Sequence, residues 1–570
     1  MKWQTGAARL VEALQHSGVR CVFGLPGTQT LELFEALRLS GLRTVVATNE
    51  LSAAFMAGGW ARVTGEPGVL ITISGPGFTW ALTGIAEARL DSVPLLHIAG
   101  APAKDAVERA FRQQELPQEA IAAPLVKGII DADSYHDPGQ AMLDALLLAQ
   151  SGEPGPVLFQ VSSTTLSRHM STEPLAKLPA PTVPGDGMDA IGARLRRRRR
   201  PIFMVGQGVN QYAGELRTLV EQLHAPVITT PSARGVLPEN HSLNFGFDPF
   251  AGSVNALNEF LQSADMVLAI GCRLSHSDTG GFELALPEDR LVHFDASPEV
   301  IDANYPTSLG VIGDAGELFD RLLKASLPRS DWTEHELEDW RLRLGPQNSD
   351  GLEPHISGTK GGDASGFFMS LRRALPSDAM LVLDSGLHQI LARRYYSVRA
   401  ASGLIMPTDL QSMGFAIPTA IGARLAMPDR PVAVLVGDGG FAMTALELLT
   451  AVREGVSLVV IVFNDGAFGQ IRMQQLANYG ASHGVNLENP DFNLLAVSVG
   501  ARYESVGDSD DIETAVRRAI ESSAVTVIEV GVRDAFPIRR AAAGARAREA
   551  ARRAAGPGVF RFLTRILRGR

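Results

Sequence analysis

Short runs of β-branched and apolar residues, each cut off by glycine or proline, recur down the whole chain. VRCVFGLPG, GVLITISGPG, VPLLHIAGAP, PIFMVGQG, ADMVLAIGCRL, AMLVLDSG, VLVGDGGF and VVIVFNDG share this form, and stretches of helical periodicity separate them. Strands buried on both faces read as unbroken apolar runs, and intervening helices supply the crossovers that parallel strands need. The expected fold is α/β, built of doubly wound parallel sheets. At 570 residues the chain exceeds what one core holds. Two connectors, EPLAKLPAPTVPGDG and GPQNSDGLEPHISGTKGGDASG, interrupt the pattern. They predict three consecutive domains, at 1–175, 185–330 and 362–535, followed by a basic tail at 539–570. The arginine run 196–200 reads as the solvated end of a helix that feeds the strand PIFMV.

Composition narrows the function classes. The two cysteines, Cys21 and Cys272, form no disulfide framework and have no metal-ligand spacing. The amino-terminal MKWQTGAARLVEALQHSG begins an amphipathic helix without a signal-peptide core. No apolar run approaches the ~20 residues of a membrane span, so a cytoplasmic protein is expected. Net charge is −10, but the tail holds ten arginines and one glutamate, which leaves −19 for the remainder and no expectation of nucleic acid. Val559, Leu563 and Ile566 lie on one helical face among those arginines. A passive extension is the expectation for this segment, and contact with anionic lipid through 559–570 is the alternative.

Asp438 in VLVGDGGF and Asp465 in VVIVFNDGAFG stand 27 positions apart, each at the end of an apolar run. Ligands of open α/β sheets bind beyond the carboxyl ends of the strands. Two acids there repel each other unless a cation bridges them. Magnesium suits the pair, since it accepts one or two carboxylates and keeps positions for phosphate oxygens and water. Gly439 and Gly440 allow close backbone approach, and a helix expected from near Ala442 offers free N–H groups. The pattern predicts a magnesium-diphosphate site.

GDG followed about 25 residues later by ND resembles the thiamine-diphosphate-binding motif of the pyruvate decarboxylase and acetolactate synthase superfamily. The resemblance covers residues 3–535. It implies thiamine diphosphate and Mg2+, with Asp438 and Asp465 as ligands through their side chains and Ala467 through its backbone carbonyl. Many members carry asparagine where this chain has Asp465. QSMGFAIPTAIGA resembles the segment whose large apolar residue wedges between the two cofactor rings, a place held here by Met413 beside Ser412. DSGLHQI resembles the loop lining the diphosphate and implicates Ser385, Gly386 and His388. The likeness extends the cofactor contacts to Gly27, Gly437, Gly439, Gly440, Phe468 and Gly469.

TNELSAAFMAGGWARVTG places Glu50 at the entrance of an Ala-rich apolar helix, where burial is expected to favour the protonated carboxyl. Glu50 matches the superfamily's catalytic glutamate, which serves the pyrimidine ring nitrogen. In the family this residue and the metal site meet across a subunit interface, which implies a homodimer or homotetramer with shared active sites.

Members differ in what captures the decarboxylated donor. Asn49-Glu50-Leu51 looks like the decarboxylases, but three of their proton donors are missing. FRQQELPQ, with Gln113 and Gln114, replaces their tandem histidines; Thr28 replaces an aspartate after the Pro-Gly turn; Gln470-Ile471 replaces a glutamate. Gln114-Glu115 with Pro124 and Lys127 resembles acetolactate synthases, whose catabolic forms carry glutamine where Gln474 stands. Gln114 is thus a second catalytic candidate. Phe78 and Trp80 in SGPGFTWA are expected to reshape the substrate pocket. The favoured reading is an acetolactate-synthase-like carboligase acting on a 2-oxo acid. The alternatives are a nonoxidative 2-oxo acid decarboxylase and a non-catalytic or membrane-tethered relative. Flavin is not expected, because NFGFDPFAGSV at 244–254 replaces the stretch that flavin-binding synthases use.

Overall fold

The computed structural model describes residues 2–103, 111–183, 185–246, 254–345, 354–359 and 362–533. The tail at 539–570 and residues 247–253 of NFGFDPFAGSV therefore lie outside the described residues. The expected parallel sheets are present, one in each third of the chain. The first orders its strands Arg43–Val46, Cys21–Gly24, Gly68–Thr72, Leu95–Ala101, Pro156–Ser162, Gly128–Asp131, all parallel. The second runs Val227–Thr229, Pro201–Val205, Met266–Ile270, Leu291–Asp295, Leu309–Ile312, again all parallel. In the third, Leu404–Ile405, Met380–Leu383, Val432–Gly437, Val459–Asn464 and Thr526–Arg533 lie side by side. Arg502–Val506 also pairs with Thr526–Arg533, and the short strand His355–Ile356 joins it antiparallel.

Val, Ile, Leu and Phe dominate the strand interiors, and nearly all of these side chains in the central strands are buried. The amino terminus differs from the sequence reading. Lys2–Thr5 forms a strand against His169–Thr172, and the helix starts only at Gly6, where the Thr5 side chain accepts the Ala8 N–H. Among the described residues no helix is long and apolar enough to cross a membrane.

The first and third units meet through two small-residue helices, Glu50–Thr64 and Ala416–Ala426. A Cβ on Gly422 would stand 1.9 Å from the Met56 carbonyl oxygen, and one on Gly59 would stand 2.2 Å from that of Thr419. Two backbones come this close only where both helices lack side chains at the crossing. Asp91 ties all three units together. Its carboxylate pairs with Arg62 at 2.6 Å and accepts the Thr408 hydroxyl, while its carbonyl accepts the Gln207 amide. A cavity of about 360 Å3 lies at this junction, and none of the site residues proposed from sequence lines it.

Candidate active site

Three neighbouring strands of the third sheet end in aspartate: Met380–Leu383 before Asp384, Val432–Gly437 before Asp438, and Val459–Asn464 before Asp465. Strand pairing alone brings the three carboxyl-bearing ends to one edge. Asp438 opens the helix Asp438–Thr444, so the helix begins at the acid itself and not near Ala442. Its Oδ1 accepts the Gly439 N–H at 2.9 Å and its Oδ2 the Asn489 amide at 2.7 Å. Backbone N–H groups of Gly466 and Ala467 also face this carboxylate, which burial pushes upward and those donors pull down. The two predicted acids are thus joined, because the turn that follows Asp465 reaches Asp438. Asp465 pairs with Arg472 at 3.3 Å and accepts the Ala467 N–H at 3.3 Å. A Cβ at Gly469 would lie 2.1 Å from the Asp465 carboxylate, so glycine keeps that face open.

Asp384 is fully buried and accepts N–H groups of Ser385 at 2.8 Å, Gly414 at 3.0 Å and Ala416 at 3.0 Å. Burial pushes its carboxyl up to about 7 against those donors. It fastens the segment Gly414–Ala416 that directly follows Met413, which is half-buried, while Gly414 takes φ 76°. Ser412 N–H donates at 3.2 Å to Glu87, a carboxyl from the first unit that burial and Asp91 push up to about 7. Ser385 donates its hydroxyl to Gln411 at 3.2 Å.

His388 is buried beside Gly386 and Gly437. Desolvation holds its imidazole down to about 4, so the ring is neutral, and its Nε2 has no hydrogen-bond partner. A buried orphan nitrogen is costly unless a ligand completes it. A diphosphate would supply the partner and, being anionic, would favour the protonated ring. Gly386 has φ 151°, and a Cβ there would fall 2.8 Å from the imidazole. A Cβ on Gly439 would fall 2.8 Å from the Phe468 ring. The residues present therefore fit a diphosphate with its cation: carboxylates for the metal, a waiting imidazole, and glycines where the backbone must come close.

Glu50 is the first residue of its helix, with Asn49 as N-cap accepting the Ser52 N–H at 2.8 Å. Sequence reading expected a buried carboxyl, but Glu50 is half-buried in this chain and makes no side-chain hydrogen bond or ion pair among the described residues. Its Oε1 sits 2.8 Å from where a Gly77 Cβ would be, and Gln114 backs onto Gly75 in the same turn. Gln114 has φ 60° and accepts the Gln29 amide at 2.7 Å. Buried Gln118 binds the Gly75 N–H at 3.2 Å and the Gly100 carbonyl at 3.2 Å. Gly27 caps the short turn Thr28–Thr30, close against Ile73.

Phe78 is fully buried and stacks on His97 at 5.6 Å, so its side chain packs in the core of the first unit, whereas Trp80 is exposed. The helix Pro76–Leu90 turns that position toward the sheet. Thr28, Gln113, Ile471 and Gln474 are exposed and Gln470 is half-buried, on faces contributed by the first and third units.

Sequence reasoning missed Asp384, Arg472, Asn489 and Glu447. Asp384 carried a signal, being a third acid at a strand end. Glu447 is fully buried and accepts the Thr48 N–H at 3.0 Å, and it also binds the Thr48 hydroxyl and the Asn49 amide. Its pairing across 399 positions leaves no local trace.

Comparison with known proteins matches this layout. Models of the thiamine pyrophosphate enzyme family fit residues 4–121 as its N-terminal TPP binding domain, 188–322 as its central domain and 384–530 as its C-terminal TPP binding domain. A probable 2-ketoarginine decarboxylase of Pseudomonas aeruginosa is 33% identical, over 93% of this chain and 94% of that protein. The acetolactate synthase large subunit of Parasynechococcus marenigrum is 31% identical, over 93% and 88% respectively. The large subunit of acetolactate synthase isozyme 1 of Escherichia coli is 29% identical, over 93% and 94%.

Proposed function

Because this chain belongs to the thiamine pyrophosphate enzyme family, we propose that it is an acetolactate-synthase-like carboligase, which decarboxylates a 2-oxo acid and joins the remainder to a second carbonyl compound. The observation that carries this reading is the chemistry of the pocket candidates. Gln113, Gln114, Gln470, Ile471 and Gln474 are amides or apolar groups and Thr28 is a hydroxyl, and none delivers a proton readily near neutral pH. Protonation of the decarboxylated donor, which releases an aldehyde, is thereby disfavoured relative to capture by a carbonyl carbon.

Thiamine diphosphate supplies the electron sink for decarboxylation when bound. Asp438 and Asp465, with the carbonyl of Ala467, would hold Mg2+ against the diphosphate, and His388 and Ser385 would line it. Met413 would fix the angle between the cofactor rings. Glu50 would hold a proton at the pyrimidine ring nitrogen, and Gln114, set by Gln29, would orient the donor carbonyl.

Part of this reading is that a second copy of the chain completes the site. Two features support it: the half-buried Glu50, and the helix Gly469–Tyr479, which buries only Gly469 although it carries Ile471 and Gln474. Met443, Leu446 and Leu449 are also exposed close to Asp438 in sequence. A homodimer or a homotetramer satisfies this requirement.

A second reading, a nonoxidative 2-oxo acid decarboxylase, is favoured by the relative named for 2-ketoarginine and by Asn49-Glu50-Leu51. A panel of 2-oxo acids, including pyruvate and 2-ketoarginine, tests both with thiamine diphosphate and Mg2+ present. Carbon dioxide with an acyloin or 2-hydroxy-2-acyl acid supports the carboligase, while aldehyde equal to the carbon dioxide released replaces it with the decarboxylase.

A further inference from the structure

Asp438 does not hold its orientation alone. The Asn489 Nδ2 donates to Asp438 Oδ2 at 2.7 Å and to Asn464 Oδ1 at 3.0 Å, which spends both of its hydrogens. Asn464, the last residue of its strand, accepts the Gly466 N–H at 3.2 Å through the same Oδ1. Its Nδ2 donates to Glu529 Oε1 at 2.7 Å, on the adjacent strand Thr526–Arg533. The other Glu529 oxygen accepts the Tyr503 hydroxyl at 2.6 Å.

The direction of every bond in this chain is fixed at one end. An ionised carboxylate only accepts, so Glu529 forces the Asn464 amide to turn its nitrogen toward it and its oxygen toward Gly466 and Asn489. Asn489 must then present its amino group to Asn464, and the same group reaches Asp438. Asn489 lies 51 positions after Asp438 and 25 after Asn464, beyond both metal-motif segments.

We propose that Asn489 is a positioning residue for the metal carboxylate Asp438, locked in orientation by the Asn464–Glu529 pair on the neighbouring strands. This inference rests on the reading that Asp438 holds the divalent cation of the cofactor. Groups that orient a metal ligand from behind set affinity by about 10-fold to 100-fold. Asn489→Ala removes the donor. Glu529→Gln keeps the shape but removes the directional constraint, since a Gln amide both donates and accepts.

Calorimetric titration of MgCl2 into the full-length protein with saturating thiamine diphosphate reads the effect directly, with thermal unfolding in EDTA as the control for folding. The expected result is a Mg2+ dissociation constant about tenfold higher for Asn489→Ala and several-fold higher for Glu529→Gln. The double variant should be no weaker than Asn489→Ala, because both act through one chain of bonds. An unchanged Mg2+ constant in Asn489→Ala, or additive losses in the double variant, overturns the inference. If Asn489→Ala fails to fold, Glu529→Gln decides the matter by the same constant. A parent protein that takes up neither Mg2+ nor thiamine diphosphate overturns the site reading itself. A parent that binds both, loses Mg2+ in Asp438→Ala and keeps it in Asn489→Ala refutes only the role of Asn489.

Discussion

The carboxylate of Glu447 accepts the backbone N–H of Thr48 at 3.0 Å, across the border between the third and first α/β units. Glu447 follows the helix that Asp438 opens, and Thr48 precedes the helix that Glu50 opens. The helix starts that carry Asp438 and Glu50 are therefore braced against each other within one chain.

Replacing Glu447 with alanine strips acceptors from Thr48 and Asn49. We expect destabilisation of about 1–3 kcal/mol in urea unfolding, and turnover reduced about tenfold or more by misplacement of Glu50. Cofactor affinity should change little. A variant with parental kcat would show that Glu447 braces the fold without setting the position of Glu50.

Glu50→Gln removes the proton while keeping the shape. Turnover should fall at least ~10²-fold, with thiamine diphosphate binding by calorimetry retained. Near-parental turnover would contradict the assignment of Glu50.

Gly422→Ala tests the helix crossing. The new methyl would stand 1.9 Å from the Met56 carbonyl oxygen, so backbone must move. Overpacking of this kind costs about 1–3 kcal/mol, and the urea midpoint should drop accordingly. An unshifted midpoint would mean that the two helices do not pack this closely.

Glu87 makes stability depend on pH. Burial and the neighbouring Asp91 raise its folded value to about 7, opposed by Ser412 and Arg62. The folded state therefore keeps a proton that the unfolded chain has released. This contribution is full below about 4.5, the ordinary value, and is lost as pH rises through about 7. His97 and His388, held by burial at about 3 and about 4, act in the opposite sense as pH rises through their ordinary value near 6.5. Comparison with the parent at each pH isolates Glu87. The Glu87→Gln variant should gain on the parent steadily between pH 5 and 8 in ~0.5-unit steps of thermal unfolding; a constant difference across that range would refute the assignment.

The apolar runs ended by glycine marked the strands, because a strand buried on both faces has no other way to be written. The same rule placed Asp438 and Asp465 at strand ends, and the glycines around them showed where backbone must come close. The position of Glu50 at the start of an apolar helix was legible, but its half-buried setting was not. What tertiary structure decided was adjacency. Sheet order put Asp384 beside Asp438 and turned it onto the segment after Met413, and the register of one helix set Phe78 against His97 in the core. Asn489 and Glu447 reach partners 51 and 399 positions away. Local periodicity records which face of an element is buried, but not which distant side chain waits on the other side, since that depends on the order in which strands pair and helices cross.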